Sequence, residues 1–199
     1  FLSKYLFIYL LLSIDFLFIY LIFLKRERKF DFKYLITIEV FLIVLVPHFI
    51  WLNNNEFITI TYGLARTGLE QSSFVDHISL PLIFLLKQLG ILTPFLILSW
   101  LLIKKIKLNL NYKDKKLLFL LGINILPIFL IFLTSVITGS KIRTMWMTPF
   151  YMFFGTLVVY LFQAQINLKK LKSFMFGFIF LFFLSPGLYG YISILNDNK

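Results

Sequence analysis

Six long apolar runs leave this chain little choice of fold. They cover residues 5–24, 34–51, 80–103, 117–137, 145–162 and 174–195. A helix rises ~1.5 Å per residue and the hydrocarbon core of a bilayer is ~30 Å thick, so roughly 20 residues suffice to cross it. Inside lipid the backbone must satisfy its own hydrogen bonds, which makes these runs helices rather than strands. The expected fold class is all-α: a polytopic integral membrane helix bundle of about six transmembrane helices, with residues 1–199 forming a single transmembrane domain. Aqueous chemistry is then confined to the short polar segments between the runs.

Charge placement orients the bundle. The chain is 60% hydrophobic with a mean hydropathy of +0.89, which excludes an ordinary soluble domain. It has no cysteine, so disulfides and thiolate metal sites are excluded too. A net charge of +11 would suit nucleic acid, but its distribution argues against that partner. Lys25, Arg26, Arg28, Lys29 and Lys33 share one loop. Lys104, Lys105, Lys107, Lys113, Lys115 and Lys116 share another, and Lys169, Lys170 and Lys172 make a third. These are every second loop, the positive-inside pattern, and such loops also touch anionic lipid heads. The segments 52–79 and 138–144 therefore face outward, as do both termini. The expected location is a membrane crossed several times, the inner membrane of a bacterium. The chain starts at Phe1 on the outer side with no basic stretch before the first run, so the expectation is a fragment lacking an N-terminal portion.

Several residues interrupt the apolar pattern. Asp15 lies mid-span, where a charge is costly, and is expected to face the bundle interior in a hydrogen-bonded contact. Glu39 is placed to pair with Lys33 or Lys29. Pro47 and His48 are expected to close the second span, with Trp51 beside them at the interface. The polar break Asn53-Asn54-Asn55-Glu56 is able to cap a following helix. Phe57, Ile60 and Leu64 then recur at helical spacing, so 56–68 is read as a short amphipathic helix on the outer surface, ended by Gly68. Lys87, about two turns inside the third span, must snorkel or face a polar cavity. Pro94 is expected to kink that span, and Pro186-Gly187 to end the regular part of the sixth. The loop Thr138-Gly139-Ser140-Lys141-Ile142-Arg143-Thr144 is positively charged on the side where the charge rule disfavours it, which marks it as functional.

Soluble-enzyme templates find no match. His48 and His77 are the only histidines and neither has metal-ligand spacing; there is no phosphate-binding glycine loop and no nucleophile elbow. What remains is a set of outer-face groups: Lys4, His48, Trp51, Tyr62, Arg66, Lys141, Arg143 and Trp146. Half are cationic, and arginine suits bidentate contact with phosphate. A phosphate at a membrane surface with an apolar tail beside it describes a polyprenyl phosphate, and the aromatic residues suit a sugar.

A resemblance sharpens this. Phe1-Leu2-Ser3-Lys4-Tyr5 resembles the end of a glycine-rich motif in membrane glycosyltransferases of the dolichyl-phosphate-mannose–protein mannosyltransferase type, glycosyltransferase family 39. Pro47-His48-x-x-Trp51 followed by Glu56-Phe57, Tyr62 and Arg66 resembles an outer-loop pattern of the same family, as does Lys141-x-Arg143-x-x-Trp146-x-x-Pro149. The resemblance covers positions 1–162. It implies an enzyme of the C superfamily of glycosyltransferases, which moves a sugar from a polyprenyl-phosphate donor to a glycan, lipid or protein acceptor on the outer face. It also implies a catalytic acid in a first outer loop upstream of this chain, so neither Glu56 nor Asp76 takes that role. No cofactor is required by these residues, and a divalent metal in the complete enzyme is left open. The competing class is a transporter or a lipid-binding scaffold. A transporter should carry matched broken helices in two halves; Pro94 and Pro127 interrupt two spans without a repeat to match them.

Overall fold

The computed structural model describes residues 5–25, 31–68, 73–108 and 110–197. They form eight α-helices with short 3-10 and π turns, and no strand is present among them. The helices are α1 (Ile8–Ile19), α2 (Lys33–Asn54), α3 (Ile58–Ala65), α4 (Asp76–Leu102), α5 (Lys115–Asn124), α6 (Leu126–Thr138), α7 (Phe154–Phe162) and α8 (Leu171–Asp197). Five helical segments are long and apolar enough to cross a membrane: Tyr5–Leu24, Lys33–Asn54, Asp76–Leu102, Lys115–Thr138 and Leu168–Ile194. A sixth forms if the bent pair Thr144–Tyr151 and Phe154–Phe162 counts as one span.

That bend of 50° has a local cause. Residues Thr144–Tyr151 wind as a 3-10 helix containing Pro149, which has no N–H to give. A 3-10 helix repeats every three residues, so Met147 and Phe150 fall on one face. Both are buried, together with Phe84 of α4 and Ile131 of α6, in the main apolar cluster. The span begins tightly wound because that winding delivers two side chains to one spot.

α6 is the hub, packed against α1, α4 and α5. Asp114 starts α5 by accepting the Lys116 N–H at 2.9 Å. Gly139 closes α6 at a left-handed φ of 63°, with its N–H on the Ser135 carbonyl at 2.9 Å. α1 and α5 touch closely at Gly122, where even a methyl group would collide with Leu17. A small residue at such a crossing is what lets two membrane helices approach. By contrast α2 buries only Leu45 and Leu52, and α8 lies against α4 with Phe174 half-buried and its other phenylalanines exposed.

Several expectations need correcting. α2 does not close at Pro47-His48; it runs on to Asn54, so His48 and Trp51 belong to its last two turns. α8 continues through Pro186 to Asp197 instead of losing its regular winding there. The surface helix is shorter than 56–68, because Glu56 and Phe57 take left-handed φ values of 50° and 55° and break the chain before Ile58. At eight residues, about 12 Å long, it is no span. Gly68 follows it at a φ of 68°. Its half-buried side is Thr59, Ile60, Gly63 and Thr67, while Phe57 and Leu64 are exposed. The face toward the bundle is therefore half polar, because Thr59 is used for a hydrogen bond.

The embedded charges differ too. Asp15 is exposed on α1 instead of facing the bundle interior. Lys33 lies 4.0 Å from Asp31, not from Glu39, and Lys29 is outside the described residues. Lys87 sits three turns inside α4 rather than two, because that helix starts at Asp76.

Candidate functional site

At one end of the bundle the chain ends of α1, α2, α3 and α6 converge. The Tyr5 hydroxyl lies 2.6 Å from Thr59 Oγ1 and 3.2 Å from His48 Nε2, tying α3 and α2 to the start of the first span. His48 and Trp51 are three residues apart on α2, hence on one face. Their rings stack at 6.1 Å with 12° between planes. One turn further along the first span, the Tyr9 hydroxyl donates to Thr134 Oγ1 of α6 at 2.9 Å.

The loop after α6 is held from within and from outside. Ser135 Oγ donates to the Ser140 carbonyl at 2.7 Å, and Thr138 Oγ1 donates to Ser140 Oγ at 2.8 Å. His77 Nδ1 donates to the Val136 carbonyl at 2.8 Å, which fixes its tautomer. The decisive link is backbone: Lys141 N–H donates to the Thr67 carbonyl at 2.9 Å. It joins the loop after α6 to the loop after α3.

These ties border two adjoining open cavities. The larger, about 960 Å³, is lined by Tyr5, Tyr9, His48, Trp51, Thr59, Tyr62, Thr134, Thr138 and Trp146, with apolar Leu6, Ile8, Leu64 and Ile142. The smaller, about 460 Å³, is lined by Arg66, Lys141, Arg143 and Asp76. Arg66 and Thr67 line both. The Arg66 guanidinium lies over the Tyr62 ring at 4.6 Å, so a cation of one cavity rests on an aromatic wall of the other. Asp76 sets one negative charge beside these three cations; one of its oxygens accepts the Ser73 N–H and hydroxyl at 2.8 Å each, bonds that leave its charge in place.

Seven of the eight residues expected to bind substrate can be placed. His48, Trp51, Tyr62 and Trp146 line the aromatic cavity, Lys141 and Arg143 the cationic one, and Arg66 both. Lys4 lies outside the described residues. Glu56 lines a separate pocket with Asn54 and Asn55. The sequence reading missed Tyr9, Thr59, Thr134 and Thr138. A signal for them existed: Tyr5 and Tyr9, Thr134 and Thr138, and Thr59, Gly63 and Thr67 each recur every fourth residue, a polar stripe on an otherwise apolar helix.

The chemistry available is recognition. Stacked rings offer apolar faces to a sugar's C–H surface, and hydroxyls offer donors and acceptors to its oxygens. Arg66, Lys141 and Arg143 offer charge to an anion. Among the described residues no three His, Cys, Asp or Glu side chains come together to hold a metal ion, and His48 and His77 each have a partner within the protein. No family model, curated protein or solved structure matches this chain.

Proposed function

We propose that this chain is the donor-binding part of a polyprenyl-phosphate-sugar-dependent membrane glycosyltransferase of the family 39 type, with six spans and both termini on the outer side. The observation that carries the reading is that the two cavities share Arg66 and Thr67 in their linings. A lipid-linked sugar needs an aromatic and hydroxyl-lined place for the sugar next to a cationic place for its phosphate. The donor phosphate binds Lys141 and Arg143, Arg66 spans the junction, and the sugar lies among His48, Trp51, Tyr62 and Trp146.

In the reaction an acceptor hydroxyl oxygen bonds to the anomeric carbon, and the bond from that carbon to the phosphate oxygen breaks. The electron pair leaves on the phosphate, and a carboxylate outside residues 1–199 takes the hydroxyl proton. Charge grows on the leaving oxygen as the bond breaks, so nearby cations stabilise the transition state more than the ground state. The acceptor is a glycan, lipid or protein at the outer membrane face.

The test is turnover of a polyprenyl-phosphate sugar by the full-length protein. Arg143→Ala should lose about 3 kcal/mol of transition-state stabilisation, or roughly a hundredfold in rate. Arg143→Lys should keep part of the activity, since charge survives while the bidentate fork is lost. A folded, inserted Arg143→Ala protein with normal turnover would sink the phosphate role. A transport reading draws on the broken span 144–162, and uptake of a solute by vesicles containing the protein, without sugar transfer, would favour it.

A further inference from the structure

Two charges in the apolar spans take no part in the cavities. Ser13 of α1 is fully buried, and Asp15, two residues on, lies about 200° round the helix and is exposed. Phe84 and Gln88 of α4 are buried, while Lys87 points to the side and is exposed. Neither Asp15 nor Lys87 has an ion pair or hydrogen bond among the described residues. Their depths agree. Asp15 falls at the middle of Tyr5–Leu24, and Lys87 lies about 3 Å from the middle of Asp76–Leu102 at 1.5 Å per residue. Each is therefore a lone charge at the centre of the hydrocarbon, where ionised side chains are rare and normally face a partner. Snorkelling answers for a lysine near a helix end; Lys87 is about 16 Å from the nearer end of α4, beyond the reach of its stem. The other exposed acid nearby is Glu39 on α2, the helix whose Tyr34 meets Phe18 edge-on, and it lies closer to the Lys33 end of that helix.

We propose that the exposed Asp15 and Lys87 faces form a self-association surface, on which two copies of this chain pair in the bilayer with Asp15 of each against Lys87 of the other. A second copy is the partner whose chemistry fits. The charges are opposite, their depths match, and each copy carries one of each. A two-fold arrangement then makes both contacts at once and leaves none of the four charges alone. Apolar faces prefer another helix to lipid only weakly, so the charge pairs are what direct the association. This proposal is independent of the sugar-transfer reading, because neither residue lines either cavity.

The experiment counts subunits by single-molecule photobleaching of the labelled full chain in liposomes at low protein density. The wild type should pair. Asp15→Lys and Lys87→Asp should each weaken pairing at least about tenfold, which is 1.4 kcal/mol. Mixing the two variants should restore it, and only as mixed pairs, since every like-charge contact then becomes an opposite one. If the charge reversals fail to insert, Asp15→Asn and Lys87→Met are the substitutes: each should lose pairing alone, and mixing should restore it in part and only as mixed pairs, because a mixed pair keeps one Asp15–Lys87 contact and leaves no charge alone. A monomeric wild type would overturn the proposal. So would reversed variants that pair as well as the wild type. So would inserted reversals whose pairing is restored by both changes in one chain but not by mixing, because the charges would then meet within one copy.

Discussion

The two ends of the bundle carry cations in opposite ways. At the cavity end Arg66, Lys141 and Arg143 converge on one pocket and border an aromatic wall. At the other end the lysines are more numerous and scattered. Lys104, Lys105, Lys107, Lys169, Lys170 and Lys172 are all exposed. There the loops are tied by backbone and side chains together: Ile103 and Ile166 form an antiparallel bridge, Lys104 N–H donates to the Gln165 carbonyl, and Lys25 Nζ donates to the Tyr112 carbonyl. The difference teaches that charge count marks which way a membrane protein faces, whereas convergence of charge marks where it can bind.

The sharpest way to break this comparison is to show that the ends do not lie on opposite sides of a membrane. Cysteines placed singly at positions 55 and 141 should react with an impermeant thiol reagent added outside, and those at 110 and 168 should not. Lys141 is exposed and so open to the reagent. The opposite labelling pattern would reverse the bundle, and with it the proposed site.

Next in size is a contrast between one cation from each end. Arg66→Ala should lower sugar-transfer turnover of the full-length protein roughly a hundredfold, as loss of one preorganised donor does. Lys105→Ala should leave turnover within about twofold, in keeping with a solvated surface charge. Equal effects from the two substitutions would mean that the cations act through the general field of the protein and not through a site.

Much of the bundle was legible in the sequence because a membrane span depends on a local run of apolar residues. The start and end of the first span were readable as 5–24, and the break near Asn55 was marked by its asparagines. The spacing of His48 and Trp51 already put them on one face. What was not legible depends on distant partners. Nothing near Lys141 in sequence says that its N–H will find Thr67, yet that bond makes two loops into one site. The left-handed turn at Glu56 and Phe57 was hidden because neither residue type favours it. Proline misled twice: Pro47 and Pro186 read as helix ends, but neighbouring turns carry both helices through. Asp15 misled by habit, since an embedded charge is normally expected to face inward.

A third prediction concerns the shared middle that keeps the two ends in register. A methyl group on Gly122 would collide with Leu17 Cδ1 and lie 2.7 Å from its Cγ, so Gly122→Ala must push α1 off α5 or turn Leu17 out. Overpacking of this kind costs about 1–3 kcal/mol. Adding Leu17→Ala should recover part of the loss, measured as the midpoint of thermal unfolding in detergent. An unchanged midpoint in Gly122→Ala would show that the helices separate freely, leaving the geometry of either end unspecified.

A smaller effect tests how the cavity end is held. Tyr5→Phe removes the hydroxyl that reaches both Thr59 and His48 while keeping the ring. The expected loss is about 1 kcal/mol, the ordinary net worth of such a bond. It should appear as faster hydrogen exchange in α3, with exchange at Ile103 and Ile166 unchanged. Exchange that rises equally at both ends would contradict the view that each end is tied separately.

The smallest effect belongs to the lysine-rich end and depends on pH. Asp114 begins α5, and its carboxylate accepts the Tyr160 hydroxyl and the Lys116 N–H. The Tyr160 hydrogen bond is the leading cause that holds this carboxyl below its ordinary value of 3.8. A folded-state value below the unfolded one means that the ionised form favours folding. The contribution is present in full above the ordinary carboxylate range and disappears as pH falls below 3.8 through the lower folded value. Asp114 is exposed to solvent screening, so the change should be modest. Asp114→Asn retains a capping side chain but cannot ionise, so its unfolding midpoint should fall less than that of the wild type on acidification below pH 3.8. Tyr160→Phe should likewise flatten the profile, because it removes the leading cause of the shift. If both variants kept the wild-type acid profile, Asp114 would be a helix cap and nothing more, and acid sensitivity would have to arise elsewhere in the bundle.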